Sequence, residues 1–371
     1  MARSLAVVAA LVSLLVAACG GQSARPAAAP PASGVAVPAA GQARTGTEAA
    51  PAGTSQPASQ RPEREHIRVT YGSVSGSMTP LWLAEEKGLF QRYGLSVEVQ
   101  HAESNVGVAA MVAGEAHINL NEGVSVTRAI AAGSPLKIIA YFNKTNPYAV
   151  VARPEIRTPA DLRGKAIALL RPADTTDISA RIALKPHGII VGEDVQPLQS
   201  GNSPSRLATL LTGQVAAALL SEAFVDQAVG QGMHVLISLE KEKLPYISTG
   251  TIVRDDFGKQ HPNTVIAFLK AMMDGLHMFW DPANRAEVLP VMANQLKREP
   301  TDSAVADAYD FYHQRLARNP YPDREGAETL LDALRSIDPE AYGSLTPEQI
   351  LDGSYVNTLQ TSGFLDALWS R

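Results

Sequence analysis

From His66 onward the chain alternates short β-rich runs with helical runs, and it does so in two successive blocks. In the first block "HIRVTY", "LSVEVQ", "HINLN" and "LKIIAYF" read as strands. Between them "TPLWLAEEKGLFQRYG", "SNVGVAAMVAGE" and "GVSVTRAIAAG" read as helices; Thr79 suits the cap of the first, Pro80 its first turn, and Gly88 punctuates it. After Pro154 the alternation starts again. "KAIALL", "EDVQPLQ", "VAAALLS" and "MHVLISL" are strands, separated by "DTTDISARIALKPHG", "SPSRLATLLTGQ" and "EAFVDQAVGQG". The chain then crosses back through "YISTGTIVRDDF", and beyond that only amphipathic helical runs remain. Alternation of this kind puts strands in a mostly parallel sheet under helices on both faces. The residues themselves give two alternating blocks, a return crossing and a helical tail.

The segment ahead of His66 has a different character. Arg3 followed by the apolar run Leu5 to Ala18 reads as a secretory signal over residues 1–18, too short for a comfortable permanent span. Val16-Ala17-Ala18-Cys19 resembles the lipobox of bacterial lipoproteins, in which the cysteine is acylated after cleavage. Cys19 is the single cysteine of the chain, so no internal disulfide framework exists. Residues 19–65 are rich in Ala, Pro, Gly, Ser, Thr and Gln, with too little apolar bulk to offset ordering, and read as a disordered tether. As a flexible coil it would reach on the order of 40 Å. The net charge of −5 comes with no basic stripe for nucleic acid, and no second apolar run is long enough to cross a membrane. A lipid-anchored location in the cell envelope, on its periplasmic or extracellular face, follows.

Within this pattern lie motifs of a known kind. Pro80-Leu81-Trp82-Leu83-Ala84, Gly88-Leu89-Phe90 and Tyr93-Gly94-Leu95 with Val97 resemble the opening of the periplasmic binding proteins for nitrate, alkyl sulfonates and taurine, an opening shared by thiamine-precursor binders and synthases (SsuA/THI5-like). "DLRGKAIAL" resembles the start of that family's second lobe, and "LLTGQVAAALLSEAF" a later strand with an acidic residue at its tip. The resemblance runs from about His66 to Phe257 and continues more loosely through the helical tail. It implies a type II periplasmic-binding-protein fold: two α/β lobes, expected over 66–150 plus 251–371 and over 151–250, joined by two crossing segments, with a helical C-terminal extension packing on the first. The ligand would be held between the lobes, with no cofactor, and ABC permease subunits would be partners of a chain expected to be monomeric.

In such sheets ligands sit beyond the carboxyl ends of strands, near helix N-termini. That selects Ser75, Gly76, Ser77 and Met78 after the first strand. Ser104 and Asn105 follow at the next helix start, and Asn121 and Glu122 at the tip of the third strand. The second lobe offers Arg171, Asp174, Thr175 and Thr176, then Asn202 and Ser203, then Ser221 and Glu222. The crossings add Asn143, Tyr148 and Thr249. Hydroxyls and amides at helix starts suit a carboxylate, sulfonate or phosphate. Ser104 and Thr175 equally suit plain helix caps, and Trp82 reads as core. Arg171 suits an anion, whereas Glu122 and Glu222 favour a ligand with donor groups, such as a heterocyclic nitrogen. Arg171 and Glu222 could instead pair with each other.

Catalytic signatures fail on inspection. "GSVSG" has valine at the nucleophile position of G-x-S-x-G, and the S-x-x-K at Ser238 lacks partner motifs. No H-E-x-x-H, P-loop or EF-hand pattern occurs, and no metal set is expected from the eight scattered histidines. The pyrimidine synthases of the resembled family carry a cysteine-rich iron motif that a single lipobox cysteine cannot supply. The sequence therefore points to a membrane-anchored binding protein of an ABC importer. Its expected solute is a small nitrogenous heterocycle, sulfonate or carboxylate, bound by lobe closure. A surface interaction or sensor lipoprotein is the alternative, and a pyrimidine-synthesis-like enzyme a more remote one.

Overall fold

The computed structural model describes residues 61–370, apart from Thr145, Gln314 and the side chains of Glu222 and Ala223. Cys19, the signal segment 1–18 and the tether up to residue 60 lie outside the described residues.

The first block folds as β1 (His66–Tyr71), α1 (Thr79–Glu86), α2 (Leu89–Arg92), β2 (Ser96–His101), α3 (Ser104–Ala113), β3 (Ile118–Glu122), α4 (Gly123–Ala131) and β4 (Leu136–Asn143). The second folds as β5 (Tyr148–Ala152), β6 (Lys165–Leu169), α5 (Thr175–Leu184), β7 (Val195–Gln199), α6 (Ser203–Leu211), β8 (Ala217–Ser221), α7 (Glu222–Gly230) and β9 (His234–Ser238). After β10 (Thr249–Arg254) come α8 (Asp255–Gln260), α9 (Pro262–Trp280), α10 (Arg285–Leu296), α11 (Ser303–His313) and α12 (Arg324–Arg335). Four short helices end the chain: α13 (Pro339–Tyr342), α14 (Pro347–Ile350), α15 (Ser354–Thr361) and α16 (Phe364–Trp369).

The strands form two five-stranded sheets, ordered β2-β1-β3-β10-β4 and β7-β6-β8-β5-β9. In each sheet four strands run in one direction and the fifth, next to the edge, runs against both its neighbours. That reversed strand is the one the chain enters from the other sheet: β5 in the second, β10 in the first. The arrangement is the type II periplasmic-binding-protein fold. The crossings lie between Asn143 and Tyr148 and between Ser238 and Thr249, so the expected borders at 150 and 250 fall inside strands. All of β5 pairs with β8 and β9, and all of β10 with β3 and β4. A border drawn by composition missed this because β5, "YAVVA", reads as a smooth continuation of the first block.

The core of the first lobe is built on α9, a 19-residue helix with eleven buried residues. Phe268 stacks on Phe90 at 5.4 Å, and Trp82 is fully buried, as its helical position implied. The approach of α9 to α1 is close: a Cβ at Gly275 would stand 2.3 Å from the Pro80 carbonyl oxygen. Only glycine fits there.

Two expectations are corrected. Residues 63–65, assigned by composition to the tether, are fixed in place. The Glu63 carboxylate accepts the backbone N–H groups of Asn263 and Thr264 at 3.1 and 2.9 Å, supplying a cap that His261, at the start of α9, lacks. The Ser96 N–H donates to the Glu65 carbonyl at 2.8 Å. The helical extension, expected on the first lobe alone, also reaches the second. Ala327, Leu330, Leu331, Ala333 and Leu334 of α12 are buried in a core shared with Ile178 and Ile182 of α5, and Lys185 pairs with Asp332 at 3.1 Å. An amphipathic helix with so wide an apolar stripe needs two surfaces to cover it, and α5 is the second.

Candidate ligand cleft

Both crossings leave each sheet beside the ends of its parallel strands, so the loops after β1 and β3 stand opposite those after β6 and β8. A bond joins the two sides directly. Thr175, at the first position of α5, donates its hydroxyl to Glu122 Oε2, at the end of β3, at 2.5 Å. Burial pushes the Glu122 carboxyl above its ordinary range; the Thr175 bond lowers it and the neighbouring Asp174 charge raises it.

Asp174 is the N-cap of α5. Its Oδ1 accepts Thr176 N–H, the Thr176 hydroxyl and Asp177 N–H at 2.9, 2.6 and 3.1 Å, while its Oδ2 is buried without a hydrogen-bond partner. Nearby, Asn146 donates to Ser179 Oγ at 2.9 Å and leaves its buried Oδ1 unpartnered. The phenols of Tyr148 and Tyr246 are pushed well above the usual range by burial, with the Glu122 charge acting in the same direction. Both therefore remain donors at neutral pH. The hinge side of the cleft thus gathers two carboxylates, two protonated phenols and an amide, a set that suits a ligand bearing both donors and acceptors.

The second lobe contributes a buried cation that sequence reading missed. Arg206 is 2% exposed; its Nε donates to the Leu219 carbonyl at 2.6 Å, Nη1 to that of Gly201 at 2.7 Å, and Nη2 to Ser203 Oγ at 2.8 Å. Desolvation lowers its pKa, opposed by the Tyr148 and Asp174 charges, and its field is felt behind Ser203 and Ser221, whose hydroxyls lie 3.1 Å apart. One signal was available: a cation in the first turn of α6 runs against the helix dipole, so it needed a reason to be there.

Tyr312, at the end of α11, was also missed, because the tail was read as packing only. Its ring lies over the loop after β1, where a Cβ at Gly76 would stand 2.5 Å from Tyr312 Cδ2, and its hydroxyl raises the Tyr148 pKa. Three residues on, Arg315 pairs with Glu240 of the second crossing at 2.6 Å.

The remaining candidates divide. Ser75 and Ser77 share a hydroxyl bond of 2.7 Å above the first helix, and Ser104, Thr249 and Tyr148 are half-buried at the strand and helix ends that bound the cleft. Met78 instead belongs to the first-lobe core at 1% exposure, since its backbone already begins the helical turn into α1. Asn121 is a bracket: Nδ2 donates to the Ser104 carbonyl at 2.9 Å and Oδ1 accepts the Glu122 N–H at 2.8 Å. Asn143 is buried and donates to Ser248 Oγ at 3.2 Å, while Thr176 is committed to Leu170 and Asp174. Asn202 caps α6 through Ser205. Arg171 and Asn105 are exposed, and Arg171 makes no ion pair among the described residues; the side chain of Glu222 lies outside them. No cluster of three His, Cys, Asp or Glu suited to a metal occurs among the described residues, and no helix among them is long and apolar enough to cross a membrane.

The geometry has counterparts. Among solved structures the chain is similar to the periplasmic aliphatic sulphonate binding protein SsuA from Escherichia coli, with a TM-score of 0.62 at 16% identity over 79% of this chain and 99% of that one. It is similar to the periplasmic nitrate-binding protein NrtA from Synechocystis PCC 6803, with a TM-score of 0.57 at 15% identity over 81% and 90%. The alkanesulfonate-binding protein SsuA from Xanthomonas axonopodis pv. citri gives 0.56 at 16% identity over 79% and 98%. At such identities the likeness is one of fold. No curated protein sequence matches the chain. The sequence profile of the NMT1/THI5-like family, however, matches residues 75–284, more than half of the chain. Fold and profile agree, and the chain belongs to the NMT1/THI5-like family.

Proposed function

We propose that the chain is the solute-binding component of an ABC importer, held to the cell envelope by a lipid on Cys19, and that its lobes close over a small organic solute. The observation that carries this reading is the Thr175–Glu122 bond, which ties a strand end of one sheet to a helix start of the other across a polar cleft. The structures it resembles are named for sulfonate and nitrate binding, which fits a role in capture and delivery. The solute we favour carries a nitrogen-bound proton for Glu122 and Asp174 and an acceptor group for the hydroxyls in front of Arg206. A bare oxyanion would meet two carboxylates. Thermal-shift screening against nitrogenous heterocycles, sulfonates and dicarboxylates tests this directly, since a ligand bound only by the folded state raises the melting temperature. At a ligand concentration of 100 Kd the gain is about 2.7 kcal/mol. A panel that leaves the melting temperature unmoved, with no change in small-angle scattering, would overturn the reading.

A further inference from the structure

A cavity of about 580 Å³ lies away from the cleft, where the C-terminal end of α5 and the turn after it meet α12 of the tail and the second crossing. Its walls are core side chains: Ile182, Ile189, Val191 and Ala333 are each no more than 5% exposed, with Leu244 beside them. A concavity of this size with apolar walls is within the range that holds small molecules, and its walls are packed rather than loose surface.

The polar groups sit at its rim and are unevenly charged. Arg181 is held through Nε by the buried Asp177 carboxylate at 2.9 Å and reaches Ser336 Oγ at 3.4 Å. Lys185 pairs with Asp332 at 3.1 Å, and Asp332 takes a second cation, Arg335, also at 3.1 Å. Of the charged side chains that line the cavity, Arg181 and Lys185 are cations and Asp332 is the carboxylate. Because Asp332 is shared and the Lys185 side chain is 68% exposed, Lys185 is the group able to turn to an incoming anion.

We propose that this cavity is a second binding site, independent of the cleft, for a small apolar solute bearing one anionic group, its ring or branched chain against Ile182, Ile189 and Ala333 and its carboxylate or sulfonate at Lys185. The site is built from the second lobe and the tail together, and α5 carries it at one end while presenting Thr175 to Glu122 at the other.

The test is titration of the full chain with 1-naphthoate, followed by the probe's own fluorescence, with 1-naphthylmethanol as the uncharged control. Ala333→Phe, which fills the cavity, should abolish binding of both probes. Lys185→Gln should weaken naphthoate by about threefold to tenfold, the scale of an exposed ion pair, and leave the alcohol unchanged. Asp332→Asn, which releases Lys185, should tighten naphthoate. The last two substitutions are at exposed positions and keep the proposal testable if Ala333→Phe fails to fold. No binding to the unaltered chain overturns it, as does equal binding of naphthoate by the unaltered chain, a folded Ala333→Phe and Lys185→Gln.

Discussion

Replacing Thr175 by valine should open the protein. Valine keeps the shape of the side chain and removes the one hydroxyl that crosses from the second lobe to Glu122. The helix itself should be spared, because Asp174 is the residue that caps α5. A hydrogen bond to a charged acceptor is worth about 1.5–3 kcal/mol, so the closed form should lose roughly 10- to 150-fold against the open one. The sign with pH follows from Glu122. Its folded pKa is raised above the ordinary 4.5, so protonation of this group favours the native, closed arrangement at low pH. That contribution is lost as pH rises through the folded value, so the hydroxyl-to-carboxylate bond is read on the alkaline side of that transition. A double-mutant cycle with Glu122→Gln, scored by urea unfolding, isolates the pair, and small-angle scattering reports the opening. A coupling energy below about 0.5 kcal/mol, the level at which unrelated sites add, would refute the argument.

Further tests bear on the anchor, the buried cation and the acid limb. Cys19→Ser should abolish palmitate labelling and release the protein from membranes; equal labelling of both forms would remove the lipid anchor. Arg206→Met leaves two carbonyls and the Ser203 hydroxyl short of a donor and should cost about 3 kcal/mol or more in urea unfolding, so a loss under 1 kcal/mol would contradict its structural weight. His117 accepts the Arg68 N–H on Nδ1, and burial, then the Arg64, Arg68 and His261 charges, hold its pKa at about 4 against 6.5. The unfolded state therefore binds the proton first, and stability should fall between pH 6.5 and 4 by roughly 1–2 kcal/mol after solvent screening, a slope that His117→Gln should flatten.

The two-block fold was legible because strands and helices alternate with different periods, and Gly and Pro mark the joints. The tips of strands also pointed to Glu122, Thr175 and Tyr148, which the fold gathers at the proposed cleft. What sequence could not show was which polar groups are already taken. Asn121, Thr176 and Asn202 have the residue types of a ligand site, but each is committed to backbone or a neighbouring hydroxyl. Arg206 and Tyr312 were hidden for the opposite reason. Each reads as a surface residue of an amphipathic helix, and only the packing of α6 under β8 and of α11 over Gly76 turns them inward.

The swapped strands also bear on how the chain is made. The second sheet is assembled wholly from the contiguous stretch between Tyr148 and Ser238, whereas the first lacks β10, which belongs between β3 and β4. The 105 residues between β4 and β10 take some 5–21 s of synthesis at about 5–20 residues per second. Throughout that interval two apolar strand edges of the first lobe have no partner, and by its end the second sheet is complete while the α12 that shares its core has yet to be made. Nascent first-lobe strands therefore need to be held apart from other chains, and the last strand to arrive decides when the first sheet is whole.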